Sequence, residues 1–318
     1  MGCPTATKRR RVRKRVDSRD WRKYNAWQKD EVLLALQWLR SLVDRSTIHD
    51  WERANGRPRI ARRTIVLCLL IKSYFHVSYR RLTGLLVLLA PVLGLAKVPH
   101  YNTLANYGRD ASLTPTLKRL FNETAKPFWL TEKIVTLDSS GLLLHGSGAW
   151  RSDHDPEARR DYGKIHVLSG TKRRATLAVA LTRGTWHDST QVDPVLDEKP
   201  SYAVAQALTG DGAYWTHRAC ASAKAHGLQP YFKPHDNARW WPHPADEFER
   251  MTRYAHQFPN RFGKVYHRRS TSESRFATEK GLFGDRLRSR RPEARRNEVY
   301  CREVVHNARI TTWIQFAE

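Results

Sequence analysis

The sequence predicts an α/β protein in which an all-helical N-terminal region precedes a mixed β-sheet with flanking helices. From about residue 25 to residue 130, apolar residues recur at the three- and four-residue spacing of amphipathic helices. After residue 130, short apolar runs alternate with helical patterns, which is typical of α/β folds. The 318 residues are 40% hydrophobic, which suffices for a sizeable core and favours about two domains.

Residues 1–20 form a basic tail, which includes the cationic run 8–15 and cannot bury apolar surface. We expect this tail to be disordered without a ligand, and a nuclear localisation signal would have the same composition. Across the chain, 56 Lys and Arg stand against 31 Asp and Glu, which gives a net charge of +25. Such a charge favours a polyanion as partner, with nucleic acid ahead of an acidic membrane surface or a merely solvated basic face.

The remaining composition indicates an intracellular protein. The cysteines form no C-x-x-C pair and match no zinc spacing, so we expect chance thiols in a reducing compartment. The longest apolar run, residues 85–96, is too short to span a bilayer, and no apolar signal segment follows the basic tail. We therefore predict a cytoplasmic protein that has no membrane partner. Phosphate-binding glycine loops are absent, which argues against nucleotide hydrolysis.

Residues 21–130 are predicted to be a helical DNA-binding region. Helices are expected at 30–43, 63–75, 79 to about 89, and from 102 or 103 onward. Ser78 is the predicted N-cap of the third helix, and Pro91 is its predicted end. A helix-turn-helix made of the last two would place the helix after His100 in the major groove of DNA. Arg80, Arg81 and Asn102 would then contact DNA, whereas a plain helical bundle is the alternative.

Residues 131–318 are predicted to carry the sheet. Strands are expected at 134–138, with 142–144 as its continuation, and at 165–168, 175–181, 205–209 and 228–232. Helices are expected at 189–196, 214–226, 269–282 and 293–313, whereas 234–262 matches no regular element and is interpreted as an insertion. A hairpin followed by alternating helices and strands is typical of an RNase H-like mixed sheet with helices on both faces.

Two acids follow predicted strands. Asp138 ends the apolar run 134–138, and functional acids in α/β folds tend to lie at such carboxyl ends. Asp211 lies between Gly210 and Gly212, which permit a metal or a backbone to approach closely. The alternatives are a turn-initiating Asp and an ordinary Asp-Gly turn. Asp188, which also follows a predicted strand, is the runner-up for the second acid.

Glu273 is the third acid. If its helix extends back to residue 266, four side chains share an arc of about 60°: Tyr266, Arg269, Glu273 and Lys280. An acid for metal, two cations for phosphate and a phenol for a hydrogen bond suit a DNA site. Carboxylates that hold two divalent metals about 3.5–4 Å apart can activate one oxygen and stabilise another. The alternative is a solvated helix with an Arg269–Glu273 ion pair.

The spacing of these four residues resembles the Y-R-E-K signature of bacterial and archaeal insertion-sequence DDE transposases. Segments around each acid are similar to that group as well, and the resemblance covers roughly residues 60–313. The matching segments are 78–82, 98–101, 137–139, 187–189, 210–214, 272–276, 283–290, 297–299 and 306–307. The chain departs from the group at Gly210, where Ala is common, and at Gly212, where Lys is common.

The resemblance implies an RNase H-like core and a metal-binding triad of Asp138, Asp211 and Glu273, with two Mg²⁺ or Mn²⁺ ions per site. It also implies phosphate contacts from Tyr266, Arg269 and Lys280 near the element's end. The partner is double-stranded DNA, as terminal inverted repeats and as target, bound by a homodimer in a prokaryotic nucleoid. The alternatives are a metal-dependent nuclease on the same fold and a DNA-binding protein derived from an inactive transposase.

Two weaker features remain. Trp240 and Trp241 lie in the interpreted insertion between basic and polar residues, and such aromatics can stack on the bases of a splayed DNA end. A small local hydrophobic anchor is the slightly favoured alternative. His145 and His166 are candidate ligands, but a chance location is the simpler account in a chain with 14 histidines.

Overall fold

The computed structural model describes residues 20–51, 59–144, 162–239 and 241–318. In this part of the chain the predicted fold class is confirmed, because a five-stranded mixed sheet with flanking helices follows a helical region. Nearly all of the basic tail 1–20, together with His145 and Trp240, lies outside the described residues.

Five helices make up the N-terminal region. They are α1 (Trp21–Arg45), α2 (Arg62–Tyr74), α3 (Tyr79–Leu93), α4 (Tyr101–Gly108) and α5 (Thr114–Trp129). Ser78 caps α3 as predicted, since its side chain accepts a hydrogen bond from the backbone N–H of Arg81. The predicted end at Pro91 is wrong, and α3 continues to Gly94, whose φ of +64° ends it. The proline removes only the bond to the carbonyl of the exposed Val87, which water can replace.

The five strands form one sheet in the order β3-β2-β1-β4-β5. They are β1 (Ile134–Leu143), β2 (Tyr162–Gly170), β3 (Thr176–Arg183), β4 (Ala207–Gly210) and β5 (Gln229–Phe232). β2 is antiparallel to β1 and β3, whereas β4 is parallel to β1 and β5. The prediction that Asp138 ends its strand is wrong. The strand continues to Leu143 because Asp138 and the next five residues all pair with β2.

Six helices complete the described part of the chain. They are α6 (Val192–Leu196), α7 (His217–Ala225), α8 (Glu247–Gln257), α9 (Pro259–Tyr266), α10 (Ser270–Phe283) and α11 (Pro292–Ala317). The prediction that 234–262 holds no regular element is wrong. Asp246 caps α8 by accepting from the N–H of Glu249, and Phe248 and Met251 are buried. The pattern was missed because these few apolar residues stand among charged ones.

The buried core is continuous from α1 to α11, and its polar centre is the guanidinium of Arg275 on α10. Arg275 donates to Glu303 of α11 at 2.5 Å and to Thr176 of β3 at 3.0 Å, and it also pairs with Glu279. All four side chains are buried. Burial lowers the pKa of Arg275, but the two carboxylates outweigh it and the pKa is raised. This network ties α10 to both the sheet and α11.

The three described cysteines, Cys68, Cys220 and Cys301, are buried and free, in agreement with the expectation of chance thiols. Burial raises the pKa of each thiol to about 12, which makes them unsuited to nucleophilic or metal-binding roles at neutral pH. None of the helices in the described ranges is both long and apolar enough to cross a bilayer.

We predict that Arg275→Met destabilises the protein by about 3–5 kcal/mol, because Glu279 and Glu303 then remain buried without their cation. Urea unfolding gives the free energy directly. The control is Arg290→Met, at an exposed arginine that forms no ion pair with any described residue, which should stay within about 0.5 kcal/mol of the parent. Equal midpoints for the two variants would contradict the assigned role.

A second prediction concerns the stability of the protein at low pH. Burial lowers the pKa of His306 to about 4 in the fold, so the unfolded chain binds more protons between roughly pH 6.5 and 4. This group therefore contributes stability above about pH 6.5 that is lost as the pH falls through this window. His306→Gln should flatten that part of the profile of unfolding free energy against pH. An unchanged slope would show that His306 is already protonated in the fold.

Candidate active site

The first two acids lie side by side. Thr136 on β1 pairs with Thr209 on the parallel strand β4, and each acid lies two residues further along its chain. The charge of Asp211 reaches Asp138 and raises its pKa. Asp211 follows β4 directly, and its carboxylate accepts from the N–H of Ala213 at 2.9 Å. Two carboxylates thus lie near each other at the carboxyl end of β4.

Asp138 is mostly buried, with 15% of its side chain exposed. Its carboxylate accepts from the N–H of Ser139 at 2.8 Å and from the hydroxyl of Ser272 at 2.5 Å. Burial raises the pKa of Asp138, and the charge of Asp211 raises it further, although Ser272, Ser139 and Arg269 oppose the shift. The site therefore holds carboxylate charge that further positive charge would stabilise.

The third acid approaches from α10. The helix does not extend unbroken back to Tyr266, the condition for a shared arc, because a 3₁₀ turn (His267–Arg269) separates α9 from α10. Arg269 donates to Glu273 at 2.8 Å and lies 3.8 Å from Asp138, so one guanidinium faces the first and third acids. Glu273 is 63% exposed, whereas Arg269 is 23% exposed. The Arg269–Glu273 pair is present, as the alternative interpretation expected, but it is part of this larger cluster.

The donor set suits a divalent cation. Carboxylate oxygens are the ligands that Mg²⁺ prefers, and two neighbouring acids lie against the helix that bears the third. In the described residues no three acidic, imidazole or thiol side chains are close enough together to hold a metal ion. Arg269 occupies the position of a cation between Asp138 and Glu273. The chemistry of the residues therefore fits a metal, with Glu273 directed to Arg269 in this arrangement.

Asp188, the runner-up for the second acid, is engaged by residues of β2, although its charge reaches Tyr214 as those of Asp138 and Asp211 do. Its carboxylate pairs with Lys164 at 3.0 Å and faces His166 at 3.6 Å, both on β2. His166 pairs with Ser139, so its side chain is on the opposite face of the sheet from Asp138. Burial lowers the pKa of His166 to about 4, which leaves the imidazole neutral. This geometry favours Asp211 over Asp188 as the partner of Asp138.

The other predicted contacts are spread along the same helices. Tyr266 is half-buried at the end of α9, where its ring stacks on Phe262, and it contacts Arg269. Lys280 is exposed on α10, seven residues after Glu273 and therefore on nearly the same face. Trp241 is half-buried and packs edge-to-face on Phe248, which suits a local anchor.

The three predicted contacts in the helical region come together at the starts of α3 and α4. Arg80, Arg81 and Asn102 are all exposed, and the guanidinium of Arg80 lies 5.2 Å from the ring centre of Tyr101. An open groove of about 790 Å³ begins beside them, between the 94–100 loop and α4. These side chains are free to meet a partner.

Sequence reasoning missed Ser272 as a site residue. It is buried, directly precedes Glu273, and donates the hydroxyl hydrogen bond to Asp138. Its place three residues after Arg269 is the only signal in the sequence. Gly210 has a different role from the expected one, since a side chain there would collide with the ring of Tyr214 at 2.8 Å. The glycine thus permits ring packing beneath Asp211.

This geometry agrees with what is known of one protein family. Residues 129–307, more than half of the chain, match the family described as Transposase DDE domain. The matched segment includes Asp138, Asp211 and Glu273. A search of the solved structures gave no match. Transposases act on DNA, and this family generally uses divalent metal ions. The chain belongs to the family of transposases with a DDE domain.

Proposed function

We propose that this transposase cuts DNA at the ends of an insertion sequence and joins the released ends to target DNA. The observation that carries the proposal is the proximity of Asp138 to Asp211, together with Arg269, which contacts both Asp138 and Glu273. In the first step water attacks a phosphorus atom, and the bond to the 3′ oxygen breaks to leave a 3′-OH. That 3′-OH then attacks a phosphodiester of the other strand or of target DNA, and a new 3′-OH leaves. Each step exchanges one phosphorus–oxygen bond for another, so no nucleotide is consumed.

Asp138, Asp211 and Glu273 would hold two Mg²⁺ ions, or Mn²⁺ in their place. A divalent metal there supplies an activated attacking oxygen and a stabilised leaving oxygen. Ser272 and the N–H of Ser139 orient the carboxylate of Asp138. Arg269 holds Glu273 near this pair and, with Tyr266 and Lys280, binds phosphates of the element's end. The phenol and the two cations supply the contacts that phosphate oxygens need.

The helical region supplies end recognition in this proposal. Arg80, Arg81 and Asn102 are exposed at one place and suit contacts with the terminal inverted repeats. A homodimer would hold two such ends at once, and the protein would be found with the nucleoid. A duplex that carries the inverted repeat, incubated with target DNA and Mg²⁺, tests the whole proposal. Cut products without joined ones would favour a nuclease, and binding without any metal-dependent cutting would favour an inactive descendant.

We predict that Asp138→Asn, Asp211→Asn and Glu273→Gln each lower metal-dependent cleavage by about 100-fold or more. Each change removes a carboxylate charge from a metal whose contribution to the barrier is several kcal/mol. Single-turnover cleavage of a labelled inverted-repeat duplex measures the loss, and a gel shift in EDTA should show DNA binding retained. Cleavage at the parental rate by any one variant would remove that residue from the triad.

The choice between Asp211 and Asp188 yields its own prediction. Asp188→Asn should retain cleavage within about tenfold of the parent, because its carboxylate is paired with Lys164 on the other face of the sheet. Asp211→Asn should lose it. Isothermal titration with Mn²⁺ is the second readout, in which Asp211→Asn loses metal binding and Asp188→Asn keeps it. The reverse result would make Asp188 the second acid.

A further inference from the structure

A second cationic surface lies beside α10, away from Asp138. An open groove of about 680 Å³ separates the β2–β3 turn from α9 and the start of α10. We call it the turn groove. It is lined by Arg174, Pro259, Asn260, Gly263, Lys264, His267, Arg268, Ser270, Thr271 and Ser274. None of these described lining residues is acidic, and none is a large apolar side chain.

The cations of the turn groove are unpaired. Arg174, Lys264 and Arg268 are exposed, and none of them forms an ion pair with any described residue. Arg269 contrasts with its neighbour Arg268, because it is engaged by two acids of the active site. The 3₁₀ turn thus directs one arginine toward the acids and the preceding one to solvent. Cations without an acidic partner in the described residues, beside the hydroxyl of Ser274, suit a phosphate backbone.

The β2–β3 turn is held rigid around these charges. The carboxylate of Glu132 accepts from the backbone N–H groups of Lys172 and Arg173, so both side chains remain exposed. Arg174 has a φ of +61°, which a residue with a side chain rarely adopts. Its carbonyl accepts from the buried imidazole of His306 at 3.0 Å, which holds this conformation. Three consecutive cations are therefore presented by a fixed turn.

The order of surfaces along α10 indicates which DNA reaches the groove. At its C-terminal end, Gly284 lies against His76, three residues before α3 begins with its exposed arginines. Glu273 lies in the first turn of α10, and Ser274 next to it already lines the turn groove. A helix is about 10 Å wide, which corresponds to roughly three phosphate steps of DNA. From its C-terminal to its N-terminal end, α10 thus has the contact with His76 before α3, then Glu273 and the edge of the turn groove.

We propose that the turn groove binds the backbone of the DNA that flanks the element, immediately beyond the phosphodiester that is cut. The proposal rests on the function proposed above, since it takes the α3–α4 surface to hold the element's end. DNA that is bound at that surface and passes the acids enters the groove on the far side. The three cations Arg174, Lys264 and Arg268 would each neutralise a phosphate.

The test compares two variants that each lose three positive charges. The groove variant carries Arg174→Gln, Lys264→Gln and Arg268→Gln. The control variant carries Lys126→Gln, Lys199→Gln and Lys224→Gln, at lysines without an ion pair in the described residues and outside the groove. Thermal melting of both, with Lys264→Gln alone as a milder version, checks that they fold as the parent does.

The probes are two duplexes made from the inverted repeat that brackets the gene, one with 20 base pairs of flank and one that stops at the repeat. Binding is measured in EDTA over a range of salt concentrations, so cleavage plays no part. For the flanked duplex, the slope of log affinity against log salt should fall by about 2–3 in the groove variant, close to 0.9 for each lost contact. For the truncated duplex, the slope should be the same in the groove variant as in the control variant.

Three results would overturn the proposal. Equal slopes for the groove and control variants on the flanked duplex would show that the groove binds no DNA. An equal loss on both duplexes would assign it to the element's end, and a defect confined to joining with a separate duplex would assign it to the target. Cleavage of the flanked duplex by the parent in Mg²⁺ is measured in parallel. If the parent did not cleave this duplex, the proposed function would be wrong, whereas the salt dependence of binding measured in EDTA would still test the groove.

Discussion

The position of α10, the helix that bears Glu273, depends on one buried guanidinium. Arg275 links α10 to β3 through Thr176 and to α11 through Glu303, and a second carboxylate, Glu279, shares the same charge. Burial raises the pKa of Glu279 to about 7, so this carboxyl can hold a proton where one cation faces two acids. A buried ion network of this kind adds little net stability over apolar packing, but its hydrogen bonds form in only one orientation of the helix. It fixes the rotation of α10, which places Ser272 against Asp138 and leaves Glu273 and Lys280 exposed.

The site is acidic, whereas the chain as a whole carries a large net positive charge. A protein with a net charge of +25 attracts DNA everywhere, whereas the reaction needs carboxylates close to one another. In the fold, each acid has its own neighbours, which orient or neutralise its carboxylate. Asp138 is oriented by hydroxyl and backbone donors, Asp188 is neutralised by Lys164 on the other face, and Glu273 is held by Arg269. At Asp138 burial and the charge of Asp211 raise the pKa although Arg269 lies 3.8 Å away, so a metal bound by these two acids would be stabilised.

The sequence predicted the fold class, the succession of strands and helices along the chain, and the capping of α3 by Ser78, because these follow from local periodicity and local chemistry. It placed the end of β1 wrongly, since the pairing with β2 that extends the strand past Asp138 is a long-range property. Helix α8 was missed because its stability comes from Phe248 and Met251 packing on a distant core. Ser272 could not be identified as a neighbour of Asp138, since 134 residues separate them in the chain.

The arrangement of Arg269 suggests why metal and DNA would bind together on the proposed function. Its guanidinium lies between Asp138 and Glu273, so it satisfies these carboxylates when no other cation is near. On that function a phosphate of the element's end would offer Arg269 a different anion, and a shift toward it would free Glu273 to face a metal. A metal held by Glu273 would in turn leave Arg269 to the phosphate. Because such linkage is reciprocal, each ligand would raise the affinity for the other. The acids would then assemble where DNA is present, and the carboxylates would stay neutralised by Arg269 until then.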